Sequence, residues 1–339
     1  MSVLKRPPLP RVDERIGLRY GAGGRAMRAL IEGIFAQGFT AAPASDEVVG
    51  LSAFDDGAAF RVGEDWLVLT TDSHVVHPIE FPGGDIGRLS VCGTVNDLAM
   101  MGATEVLGLT CAVVIEEGFA RATLERLHQS MREACEEAGT AIVTGDTKVM
   151  GKGEIDGIVF NTTGLGRTRR LVRDNGLRAG DAILVTGTLG DHGLAIMARR
   201  HRLELGGDLR SDVAPLNGLV RAAMAAGGDA IAAMKDPTRG GLSSSLHEMA
   251  GKSGVGVVLQ EAALPMRDEV RAAAELLGLD PLHIANEGKA VIGVRAEAAD
   301  RVLAALRAHP LGRDAALVGH AVADYVGSVV LDTGIGKRL

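Results

Sequence analysis

The chain has 339 residues, 36 Lys and Arg against 43 Asp and Glu, and a net charge of −7. That length exceeds what one ordinary core supports, so two domains are expected, and 46% hydrophobic with 23% charged residues excludes extensive disorder. With no basic run and 3% aromatics the footprint of a nucleic-acid binder is missing, and no stretch approaches the about 18 uninterrupted apolar residues of a membrane helix.

The first 20 residues hold Lys5, Arg6, Arg11 and three prolines without an apolar centre, so they form no secretory signal and a cytoplasmic protein is expected. "YGAGGRAMRALIEGIF" then reads as a glycine loop followed by a helix through Met27, Leu30, Ile31 and Ile34. Strands are expected at 58–62, 66–71, 106–115, 141–144 and 158–165, and helices near 86–101 and 121–138. The turn-rich "RTRRLVRDNGLRAGD" at Arg167 to Asp181 marks a boundary. It separates an arm and glycine loop (1–45) and a first domain (46–168) from a second domain (169–339). The second half opens on "DAILVTGTLGDHGLAIMARR", a strand, glycine turn and helix, and continues with further strands and helices. Both halves are therefore of the α/β (or α+β) class, with no repeat of residue identity.

Cys92, Cys111 and Cys135 are mutually isolated and form no CxxC pair, which suggests neither a zinc site nor a disulfide framework and reads as small buried residues. Acids recur beside glycine or at expected strand ends: Asp55 and Asp56 in "FDDGAAF", Asp72 in "TTDSH", Asp97 in "GTVNDLAMMGA", Asp146 in "VTGDTKV". Converging carboxylates suit a hard cation that also holds phosphates, although each alone reads more often as a turn former or cap. "TAIVTGDTKVMGKGE" places an acid and a base where the strand 141–144 is expected to surface. Asp85 is a plausible N-cap for the helix that follows, and Asn96 and Asp97 interrupt its apolar pattern, where burial demands a partner. Neither a P-loop nor a Rossmann turn is present, so a nucleotide would be held through metal ions and glycine-rich backbone.

"YGAGGRAM", "TTDSHVVHPIEFPGGDIGRLSVCGTVNDLAMMGA", "VTGDTKV", "KDPTRGGL" and "NEGKA", in that order, resemble the HypE family of hydrogenase maturation factors. Its superfamily also holds aminoimidazole ribonucleotide synthetase, thiamine-monophosphate kinase and selenophosphate synthetase. The resemblance runs from Gly21 to the end of the chain. It implies a two-domain PurM-like fold whose N-terminal sheet joins that of a second subunit in an intersubunit β-barrel, with ATP near the homodimer interface. By the same resemblance Asp56, Asp72, Asp97 and Asp146 are Mg²⁺ ligands, Thr71 and Gly145 contact the nucleotide, and Asp236 and Arg239 face its phosphates. Lys148 and Glu287 handle protons. The implied reaction is the ATP-dependent dehydration of a carbamoyl group on a C-terminal cysteine to a thiocyanate, the source of cyanide for hydrogenase iron. The implied partners are the carbamoyltransferase HypF and the HypC–HypD complex.

Two features depart from the family pattern. The chain reads "SVVLDTGIGKRL" to its last residue and has no cysteine after Cys135, so turnover on itself is not expected; Tyr20 stands where the family commonly has His. A related small-molecule kinase or synthetase, or a non-catalytic docking subunit, remain the alternatives.

Overall fold

The structure, a computed structural model, describes residues 9–39, 47–203 and 208–338. Lys5, Arg6 and part of the expected 1–45 arm lie outside the described residues. The glycine loop leads into α1 (Gly24–Leu30), which continues as a π turn over Ile31–Phe35 because the Ala36 N–H reaches back five residues to the Ile31 carbonyl at 2.8 Å. Tyr20 is 3% exposed, and its hydroxyl accepts the Asp13 N–H at 2.7 Å.

The first sheet takes β1 (Val48–Val49), β2 (Ala58–Val62) and β3 (Asp65–His74). A short hairpin, β4 (Glu80–Phe81) with β5 (Gly84–Asp85), leads into α2 (Ile86–Met100). Then come β6 (Glu105–Glu116), α3 (Arg121–Ala138), β7 (Ile142–Met150) and β8 (Ile158–Thr168), giving the sheet order β1-β2-β3-β8-β6-β7. Alternation decides which face is covered. On β3, Val68, Thr70 and His74 are buried against α2, while Leu69, Thr71 and Ser73 are exposed.

Asp85 caps α2, its Oδ1 accepting the Arg88 N–H at 2.9 Å. Thirteen of the fifteen residues of α2 are buried, as expected of a helix apolar on every side. One flank packs on β3 and β8, another on α3, and its C-terminal Ala99 and Met100 enter the core of the second domain. Asn96, 1% exposed, does not face water. Its amide donates to the Ala214 and Glu287 carbonyls at 3.1 and 3.0 Å, and its oxygen accepts the Leu216 N–H at 2.7 Å. That satisfies the polar interruption and locks α2 to the loops of the second domain.

One expectation is corrected by the structure. The strand over "AIVTGDTKVM" does not end at Thr144; β7 runs in parallel with β6 as far as the Glu116–Met150 pair, so Gly145, Asp146 and Lys148 lie within a strand. Nor is it a core strand, because all nine of its residues are exposed at the edge of the sheet. Parallel pairing supplies the backbone hydrogen bonds whatever the side chains are. Glycine is required at 145, where a Cβ would lie 2.1 Å from the Cys111 carbonyl oxygen. β3 likewise continues through Asp72 to His74.

The second domain holds β9 (Ala182–Val185), α4 (Asp191–His201), α5 (Asn217–Gly227), β10 (Ile231–Lys235), α6 (Gly241–Ser253) and β11 (Gly256–Gln260). α7 (Asp268–Leu277), β12 (Val291–Val294), α8 (Ala299–Ala308), β13 (Ala316–Val322), β14 (Val329–Asp332) and β15 (Lys337–Arg338) complete it. Its sheet runs β10-β12-β9-β13-β11-β14-β15, with α6 residues in the core on one face and α5 and α8 residues in the core on the other. The chain passes from one sheet to the other between Thr168 and Ala182.

Candidate active site

β2 pairs with β3 only as far as Leu69, so residues 70–74 are bonded on one side by β8 and present a free edge on the other. That edge lines a cavity of about 810 Å³ between the two domains. Thr71 and Asp72 come from the edge, Asp97 from α2, and Asp55 and Asp56 from the turn before β2. Asp236 and Arg239 follow β10, and Glu287 precedes β12. Gly23 closes one wall, its φ of +82° holding the glycine loop so near the next loop that a Cβ would lie 2.9 Å from the Arg239 carbonyl oxygen. Arg239 Nη2 is 3.3 Å from Asp72 Oδ1, and Thr70 Oγ1 donates to Asp97 Oδ2 at 3.0 Å.

The acids of this basin are held against their preference. Burial, then Asp236, Asp72 and Asp56, push Asp97 well above the usual carboxylate range. Burial raises Asp236 to about 7, with Asp56 adding to the effect, and raises Glu287 well above its ordinary value, helped by Asp236, Asp212 and Asp72. At the rear, Lys235 Nζ is 2.5 Å from Asp56 Oδ1, 3.7 Å from Asp174 and 3.6 Å from Glu248. Lys252 is 2.5 Å from Asp174, and Arg173 is 2.9 Å from Asp55. Asp56 Oδ2 has no hydrogen-bond partner among the described residues.

These observations fit a divalent cation. Mutually repelling carboxylates with an unpartnered buried oxygen are the donor set that a hard ion completes. Among the described residues no three His, Cys, Asp or Glu side chains are grouped closely enough to hold a metal by themselves. That agrees with magnesium, which takes one or two carboxylates and keeps its other positions for phosphate oxygens and water.

Gly145, Asp146 and Lys148 do not join this basin. Asp146 and Lys148 form an exposed pair 3.9 Å apart on β7. The register places Asp146 in one row with Ala112, Asn161 and Ser73, whereas Asp72 shares a row with Thr162, Cys111 and Gly145. Asp146 therefore lies three strand spacings, about 14 Å, from β3 and on the opposite face of the sheet from Asp72. Glu287 forms no surface ion pair with the nearby Lys289, which is buried and pairs with Asp212 at 3.1 Å. Sequence reasoning missed Lys235, Lys252 and Asp174. It also missed two buried histidines that line the cavity, His74 and His192; only their place in glycine-rich or acid-rich motifs marked them.

The elevated Asp236 predicts an unusual pH dependence. Its folded pKa, about 7, lies above the unfolded value, so below about 7 the folded chain holds a proton that the unfolded chain lacks, and stability rises as pH falls. His192, held down to about 4 by burial, acts with the opposite sign once unfolded histidine begins to protonate. The melting temperature of the nucleotide-free protein should therefore rise from about pH 8 to about pH 6.5, and less steeply in Asp236→Asn. Equal slopes for the two proteins would contradict the assignment.

Residues 54–168 match the family described as AIR synthase related protein, N-terminal domain, and 178–332 its C-terminal domain. A carbamoyl dehydratase HypE of Rhizobium leguminosarum bv. viciae is 50% identical over 327 residues, 95% of this chain and 91% of that protein. The crystal structure of a HypE–HypF complex matches with a TM-score of 0.84 and 43% identity, covering 92% of this chain and 98% of that one. A crystal structure of hydrogenase maturation protein HypE in complex with ATP matches at 0.78 and 41%, covering 95% and 96%.

Proposed function

The chain belongs to the carbamoyl dehydratase HypE family, and from that premise we propose that it dehydrates a carbamoyl group carried on a cysteine sulfur at the expense of ATP, in the maturation of a hydrogenase. The observation that carries the reading is the interdomain basin in which Asp56, Asp72, Asp97, Asp236, Arg239 and Glu287 meet along the free edge of β3.

In the balanced reaction the amide oxygen receives the γ-phosphoryl group and departs as phosphate, and the nitrogen loses both protons to leave a nitrile on sulfur. Mg²⁺, when bound, neutralises phosphate charge. Asp56, through its free oxygen, Asp72 and Asp97 would offer it one or two carboxylate ligands at a time, with phosphate oxygens and water completing its shell; Arg239 and the backbone of Asp236 would orient the phosphates. Glu287 is desolvated and forms no ion pair with a Lys or Arg among the described residues, so its carboxylate, once ionised, is a strong base for an amide proton. Cys92 cannot act as the acceptor, being fully buried with its thiol pushed up by desolvation.

Lys148 and Asp146 enter this reading through a second copy of the chain. The face of the first sheet that carries Asp146 also carries Phe60, Val62, Leu69 and Leu165, 44%, 56%, 41% and 38% exposed. Apolar residues at that density on one face of a sheet imply a cover. An isologous homodimer supplies it and carries the exposed β7 of one protomer toward the cavity of the other. The partners are then a HypF-type carbamoyltransferase that loads the substrate and a HypC–HypD-type complex that accepts the cyanide, in the cytoplasm. No helix among the described residues is long and apolar enough to cross a membrane.

Isothermal titration tests the metal–nucleotide part. Asp97→Asn should weaken Mg-ATP affinity by about tenfold or more, on the scale of a lost charge-assisted ligand, whereas Lys148→Ala should bind normally. Unchanged affinity in Asp97→Asn would count against the basin as the nucleotide site.

A further inference from the structure

His192 has no part in the steps assigned to the other cavity residues, yet its side chain faces Glu287 across the cavity. It sits in the first turn of α4, 8% exposed, with its ring edge-on to Phe81 at a centroid distance of 5.6 Å and an interplanar angle of 86°. Nδ1 lies 2.8 Å from Ser211 Oγ, and that hydroxyl oxygen already accepts the Val213 N–H at 3.1 Å. With that contact made, the hydroxyl can donate its proton to Nδ1, the arrangement in which a neutral ring carries its proton on Nε2.

Nε2 is 4.0 Å from Glu287 Oε1. The backbone of Glu287 is fixed on both sides: its N–H donates to Asp212 Oδ1 at 3.1 Å and its carbonyl accepts from Asn96 at 3.0 Å. The side-chain torsions of Glu287 are then the freedom left to close the gap to a hydrogen bond. At 4.0 Å one small atom can also touch both groups at about 2.8 Å each, and bonds of this kind commonly tighten only when substrate enters.

We propose that His192 is a positioning residue for Glu287, a neutral imidazole whose Nε2–H engages one carboxylate oxygen so that the other faces the substrate amide. The inference rests on Glu287 acting as the base. Asp212, which holds the Glu287 N–H and pairs with Lys289, belongs to the same support. Phe81 and Ser211 fix the ring, and the ring fixes the base.

Turnover of an S-carbamoyl-cysteinyl peptide with Mg-ATP, followed by ADP release and by mass spectrometry of the thiocyanate, tests this. His192→Phe should lower kcat by about 10–100-fold with the KM for ATP changed less than about twofold, and His192→Gln, which returns an N–H near the same point, should recover much of the loss. Glu287→Gln/His192→Phe should be no slower than Glu287→Gln alone, and ¹⁵N NMR of the free protein should show His192 protonated on Nε2. Wild-type kcat in His192→Phe, multiplying effects in the double variant, or a proton on Nδ1 would overturn the proposal while leaving Glu287 as the base. Full activity in Glu287→Gln would overturn the base assignment, and this inference with it.

Discussion

Lys235→Met is expected to destabilise the folded chain by about 3–5 kcal/mol, the range for removing one partner of a buried ion pair. Lys235 is 11% exposed and stands among Asp56, Asp174 and Glu248, with Lys252 and Arg173 the other cations of the cluster among the described residues. Three cations face four acids there, counting Asp55. Taking one away leaves Asp56 and Asp174 buried with too little positive charge, and that penalty, more than the lost attraction, sets the size of the effect. The pH dependence follows from the acids. Asp174 is already pushed up to about 6 by burial and by Asp55, so acidification neutralises the surplus charge and the cost of Lys235→Met should be smaller at pH 6 than at pH 8. Denaturant unfolding at the two pH values measures both quantities. Asp56→Asn/Lys235→Met should recover part of the loss, and a purely additive double variant would show that the two residues are not coupled. Because Asp56 belongs to the first domain and Lys235, Asp174 and Lys252 to the second, the transition should also broaden as the domains come apart separately.

This cluster shows where sequence reading stops. Strand 58–62 and the helix over 121–138 were legible to the residue, since period-2 and period-3.6 patterns, caps and glycines are local. Asp85 could be named as a cap, and Asn96 and Asp97 as an anomaly in an apolar helix, because burial of a polar group has one physical meaning wherever it occurs. Lys235 gave no such sign. Its partners lie 13 residues away at Glu248, 61 away at Asp174 and 179 away at Asp56, separations that no periodicity encodes. β7 failed in another way. Its apolar start reads as a core strand, and the polar remainder reads as a loop only if the strand is taken to be buried; an edge strand carries Gly-Asp-Thr-Lys at no cost. The same edge position explains why Asp146 and Lys148 were legible as chemistry and yet stand apart from the acids they were grouped with.

That separation yields the sharpest test of a shared site. Lys148→Ala and Glu287→Gln should each lower dehydration by about 10²–10⁴-fold, the usual contribution of a general acid or base. Lys148 lies on β7, on the sheet face opposite Asp72 and absent from the cavity that Glu287 lines, so the two act on one substrate only if they come from different protomers. Mixing the two inactive variants and allowing subunits to exchange then makes dimers of one Lys148→Ala and one Glu287→Gln chain. Such a dimer has one cavity with the intact Glu287 of the first chain and the intact Lys148 of the second. Its other cavity carries both substitutions. At equal amounts half of the dimers are mixed and each regains one of two sites, so about a quarter of wild-type activity should return. If Lys148 instead serves the cavity of its own chain, each cavity in every dimer lacks one group and the mixture stays as inactive as its components. Recovery also requires that Lys148→Ala bind Mg-ATP normally, which the titration described above measures independently. The complementation therefore reports on the geometry of β7 relative to the second copy, with the lysine serving as its chemical marker.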